Sequence, residues 1–162
     1  MTERSTGPGQ RQGMDSRDPP PAAEELADRL IAHEANGRQA AEDLLRAGER
    51  VLQRMRDHLA RVLGSDGFSA LEGRAVDLAR RRHPFPGTAN AGGTPTGPLD
   101  EALAGLRRRD PREACDALQA VCAHMIGLLF TFLGEPLTTQ LIHLAWPGLV
   151  GGGPDGVERE TR

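Results

Sequence analysis

Lysine and tyrosine are absent from this 162-residue chain, asparagine occurs only at Asn36 and Asn90, and aromatic residues make up 3% of it. Without lysine there is no Schiff-base nucleophile and no Walker-type phosphate loop. So few aromatics argue against a β-sandwich rich in aromatic strand residues, and against a stacking platform for single-stranded nucleic acid. Two cysteines, Cys115 and Cys122, are too few for a disulfide scaffold. An excess of positive charge is missing as well: 20 arginines stand against 23 acidic residues, giving a formal net charge of -3. That balance argues against a surface built throughout to neutralise phosphates.

The Met1 end lacks the basic, apolar and small-residue order of a signal peptide. The longest apolar run, Ala120 to Leu133, is interrupted by His124. It is also too short to cross a bilayer core of about 30 Å at about 1.5 Å per helical residue. A cytoplasmic chain without membrane contact is expected. Arginine-only usage together with abundant Ala, Gly and Pro matches a GC-rich coding bias, so the choice of arginine over lysine carries no functional argument.

What is present is enough for one domain with a core: 38% hydrophobic and 27% charged residues. Residues 1–21 and 148–162 are rich in Gly, Pro and charge and have no apolar period, so they read as disordered tails. Residues 22–147 read as a helical bundle domain. Within it, residues 84–98 hold four Pro, four Gly and no charge, a linker between two helical halves.

The first half opens at Pro21 with Glu24 and Glu25 in the first turn, then Leu26, Leu30 and Ile31, with Asn36-Gly37 as a left-handed cap. Leu45, Gly48, Leu52, Met55, Leu59 and Val62 follow at alternating spacings of three and four, a seam for another helix. Gly64-Ser65-Asp66-Gly67 breaks it. Phe68, Leu71, Ala75 and Leu78 make a further stripe that ends before His83-Pro84. In the second half Leu99, Leu103 and Leu106 mark a short helix, and Asp110-Pro111-Arg112-Glu113 reads as a capping pair with proline at the first helical position. It launches Cys115, Leu118, Cys122, Met125, Leu129 and Phe132, stopped by Gly134. Ile126, Leu128, Phe130 and Leu133 add apolar groups off that stripe, so this helix should be central. Glu135-Pro136 starts a last helix with Leu137, Leu141, Ile142 and Ala145, ended by Trp146-Pro147. The sum is an all-α, single-domain bundle of about five helices.

The block Leu128-Leu129-Phe130-Thr131-Phe132-Leu133-Gly134-Glu135-Pro136-Leu137-Thr138, running on to Trp146-Pro147, resembles one found in small uncharacterised bacterial all-α proteins. The resemblance covers about the last fifth of the chain, with weaker echoes at Gly67-Phe68 and His83-Pro84-Phe85, and implies no activity.

Each chemical constellation has a competing structural explanation. A carboxylate di-metal site in a bundle needs Glu-x-x-His, yet the residues three before His33, His58, His83, His124 and His143 are Leu30, Met55, Arg80, Val121 and Gln140. Cys115 and Cys122 lie two helical turns apart, roughly 10.5 Å by the helical rise, too far for a disulfide or a shared metal on one helix. They read as small buried hydrophobes. Arg80-Arg81-Arg82 and Arg107-Arg108-Arg109 fall at helix ends, where cations favour the dipole, and the helix-turn-helix order across Leu63 to Arg82 puts its arginines last, the wrong end for base readout. Neither Ser65 nor Ser69 sits in a nucleophile elbow, and the acidic pairs Glu24-Glu25, Glu42-Asp43 and Asp100-Glu101 suit first turns and solvated faces. No catalytic residue, metal ligand or cofactor is assigned.

What remains is a non-enzymatic adaptor or regulatory protein that binds another protein or a second copy of itself as a homodimer. The candidate surface comprises Phe130, Ile142, Trp146 and Leu149, against the alternative that Trp146 closes the core. A charged face of Arg46, Glu49, Arg50, Arg54, Arg56 and Asp57 adds salt-sensitive contacts, with Arg50 and Arg54 as its candidate binding residues. The other class is a small-molecule, haem or metal sensor with a pocket between the helices, for which His58 and His124 are the ligand candidates.

Overall fold

A computed structural model describes residues 18–85 and 97–151. Among these residues there are helices and no strand, so the chain is all-α. The helices are α1 (Pro21–Ala35), α2 (Ala41–Leu63), α3 (Ser65–Arg82), α4 (Pro98–Leu106), α5 (Pro111–Leu133), α6 (Glu135–Ala145) and α7 (Pro147–Gly151). Seven described helices replace the expected five or so. Residues 1–17, 86–96 and 152–162, most of the expected tails and linker, lie outside the described residues.

The helix ends follow local chemistry. Asn36 (φ 53°) closes α1 in the left-handed conformation. The Asp110 side chain accepts from the Arg112 amide at 3.2 Å, and Pro111 fills the first position of α5. Gly64 (φ 84°) and Gly134 (φ 91°) each make the whole break between two helices, a backbone state that side chains disfavour. The expected four-residue break after α2 is therefore Gly64 alone, since Ser65 already begins α3. Pro147 likewise starts α7, because its fixed φ suits a first helical position, and buried Leu149 anchors that short helix.

α5 is the centre, as its apolar circumference implies: α1, α2, α3, α4 and α6 all pack against it. Taken over its full 23 residues it is long and apolar enough to cross a membrane; counting only from Ala120 misses its first nine residues. Here other helices occupy its apolar faces. Residues on both sides of the neutral segment 86–96 share one core, which includes Leu30, Val51, Phe68, Leu118, Met125 and Trp146.

The two seams determine the register. α1 runs against α2: Ile31 lies against Gly48, whereas Arg38, just past the end of α1, reaches back to Asp43 near the start of α2. It also runs against α5, because Asp28 accepts from Gln119 and Pro20 sits over Gly127. Thus α2 and α5 run the same way. Gly48 abuts Leu118, so close that a Cβ on Gly48 would lie 2.7 Å from Leu118 Cδ2. Beyond that contact Leu52, Met55, Leu59 and Val62 follow at the same intervals as Cys122, Met125, Leu129 and Phe132, because both seams carry the same three-four spacing.

Candidate functional site

Arg50 and Arg54 share a face of α2 and converge on Glu34 of α1. Arg50 donates to the Glu34 backbone carbonyl at 2.8 Å, and Arg54 Nη1 lies 3.3 Å from Glu34 Oε2. The same carboxylate accepts from Trp146 Nε1 at 2.9 Å, while the Arg54 guanidinium covers the indole at 5.5 Å from the ring centroid. Three candidate residues, Arg50, Arg54 and Trp146, are therefore brought together by Glu34, which sequence reasoning did not single out. The i, i+4 spacing of the arginines was visible, but nothing local identifies their acceptor 16 positions away.

Trp146, Ile142 and Leu149 are buried, and Phe130 is half-buried against the core. They close the interior rather than line a surface. Most of the expected charged face is also engaged within the chain. Glu49 pairs with Arg107 at 2.9 Å, and Arg56 pairs with Glu72 at 2.6 Å and with Asp100 at 3.6 Å. Burial pushes the Glu72 carboxyl up despite Arg56 beside it. Arg46 and Asp57 remain exposed.

Apolar surface lies elsewhere. Val62 (55% exposed), Phe132 (66%), Leu137 (43%) and Leu144 (68%) are the exposed large hydrophobics among the described residues. Val62 and Phe132 are the last members of the α2 and α5 seams, each fourteen residues beyond the Gly48 and Leu118 contact. Every earlier α5 seam member except half-buried Cys115 is buried, and so are the α2 members from Gly48 to Leu59. α6 begins at this same end, immediately after Gly134, and packs on both α5 and α2. Its buried side is Thr138, Ile142 and Ala145, whereas Leu137, Leu141 and Leu144 form a second stripe about 100° around the helix. The signal for this site was present in the sequence as the terminal position of each seam, but periodicity alone assigned those positions to the core.

The titratable groups are dispersed. Among the described residues no three His, Cys, Asp or Glu side chains gather as metal ligands. His124 is buried and its Nε2 has no partner among the described residues. Desolvation holds its imidazole below the ordinary value; Asp18 works against that shift, and Arg82 and His83 reinforce it. His58, the other proposed ligand, is exposed and within 3.0 Å of the Arg54 carbonyl. Cys115 and Cys122 are free thiols, both raised chiefly by desolvation. Arg82 binds Asp18 and Glu24, Arg109 binds Glu113, and Arg80 stacks on Phe85 at 4.9 Å. These arginine triplet members therefore tie helix ends down. A depression of about 270 Å³ beside Asn36 is walled by Glu34, Arg38, Asp43, Arg46 and Arg50. Such charged walls differ from the apolar lining typical of small-molecule sites.

Comparison of the chain with protein families, curated proteins and solved structures finds no match.

Proposed function

We propose that the chain is a non-enzymatic, cytoplasmic helical adaptor or regulatory protein that acts by binding protein at the bundle end formed by α2, α5 and α6. One observation carries the reading: the core seams of α2 and α5 end on exposed Val62 and Phe132, with exposed Leu137 on α6, which packs on both helices. A seam position that is apolar by pattern and open in the folded chain is surface that a partner can desolvate. The free thiols of Cys115 and Cys122 support a reducing compartment.

The test is quantitative co-purification from the native cells using the full chain, Phe132→Asp, and Arg29→Glu on the exposed side of α1 as a surface control. A bound protein lost with Phe132→Asp and retained with Arg29→Glu is the expected result. Equal recovery with all three chains overturns the assignment to this end.

A further inference from the structure

The uncovered end has no apolar cover available from the remainder of the chain. Residues 1–17 supply only Met1 and Met14 as large apolar groups, residues 86–96 supply none, and residues 152–162 supply only Val157. A second molecule is therefore the better source of apolar cover for Val62, Phe132 and Leu137.

The charge pattern selects which one. Residues 117–134 and 136–147 contain no Asp, Glu or Arg, so the C-terminal part of α5 and nearly all of α6 carry none of these charges. Such a face meets its own image without like-charge repulsion, whereas a dedicated foreign partner is usually steered and selected by complementary charge. At its margin stand exposed Arg61, in the last turn of α2, and the exposed acids Asp66, in the first turn of α3, and Glu135, at the start of α6. Opposite signs at the rim suit a two-fold pairing, in which each copy offers both members of the match.

Resting on the protein-binding reading above, we infer that the occupant is a second copy of this chain, docked two-fold through Phe132, Leu137 and Val62, with Leu144 farther along α6 at the margin. Half-buried Leu63, Leu128, Leu133 and Leu141 extend the apolar surface toward the roughly 800 Å² per partner of a standard interface.

Sedimentation equilibrium of the full chain tests this, with Phe132→Asp and Leu137→Asp as disrupting variants and Arg29→Glu, exposed on α1, as control. Phe132 is 66% exposed, so its substitution leaves the monomer core intact, which circular dichroism checks. The expected result is a dimer whose Kd rises at least about thirtyfold on Phe132→Asp, as for a central interface residue, and is unchanged by Arg29→Glu. A monomer at a chain concentration of about 1 mM, or a dimer indifferent to both disrupting variants, overturns the inference. If the chain is monomeric but Phe132→Asp still releases a different co-purifying protein, the second copy is wrong and the protein-binding reading stands. If neither measurement responds to Phe132→Asp, both fall.

Discussion

Glu34 and Trp146, 112 positions apart, are joined by a 2.9 Å hydrogen bond from the indole Nε1 to the carboxylate. The bond ties the end of α1 to the junction of α6 and α7, and Arg54 closes over the ring. Trp146 is only 1% exposed, so an indole N–H left without an acceptor would be buried unsatisfied.

Glu34→Ala is therefore expected to destabilise the chain by about 1.5–3 kcal/mol, the usual loss for a hydrogen bond to a charged group. The Arg50 and Arg54 pairs add little to that figure, because both guanidinium side chains are about half exposed to water. Glu34→Gln, which keeps an acceptor, should lose less. Urea unfolding followed by the fluorescence of Trp146, the single tryptophan, measures the series.

Gly48→Ala sets two magnitudes against each other. Replacing a helical glycine gains about 1 kcal/mol in propensity, but the new Cβ would lie 2.7 Å from Cδ2 of Leu118, which is itself 1% exposed and must shift within a packed interior. Overpacking of this kind costs about 1–3 kcal/mol, so net destabilisation of about 1 kcal/mol is expected. In a Leu118→Ala background the same substitution should become stabilising. A thermal or urea double-mutant cycle reads the change of sign, and additivity of the two substitutions would refute the contact.

Burial keeps His124 neutral below the pH at which an exposed histidine takes up its proton. The unfolded chain is then protonated first as the pH falls. Stability associated with His124 is fully present above about pH 6.5 and declines below it toward the lower pKa of the folded state. His124→Gln should flatten that decline while leaving other acid-sensitive groups in place. Urea midpoints between pH 7.5 and pH 5 for the two chains provide the check; parallel profiles would show that His124 does not carry the slope.

The thiols should differ in access. Cys122 is fully buried and Cys115 half-buried, and loss of hydration opposes thiolate formation at both. Native chain treated with an aromatic disulfide reagent is expected to react slowly and at Cys115 first, with Cys122 modified only at the rate of unfolding. Mass spectrometry of the digested product gives the order, and rapid modification of Cys122 would contradict its packing.

The helices and their limits were legible in the sequence because the determinants are local. A three-four apolar spacing marks a helix face, glycine accepts the positive φ at 64 and 134, and Asp110-Pro111 caps whichever helix follows it. The matched spacing of the α2 and α5 seams was likewise present, and it is what permits the two helices to lie level. Tertiary structure decided which seam positions are covered. Val62 and Phe132 carry the same pattern as buried Leu52 and Leu129, but exposure depends on where neighbouring helices end. It also decided that Glu34 takes Trp146, Arg50 and Arg54, and that Arg56 takes Glu72, pairings 16 to 112 positions apart. Helix formation depends on neighbours within about four residues, whereas burial and ion pairing depend on surfaces that meet only after the chain has packed.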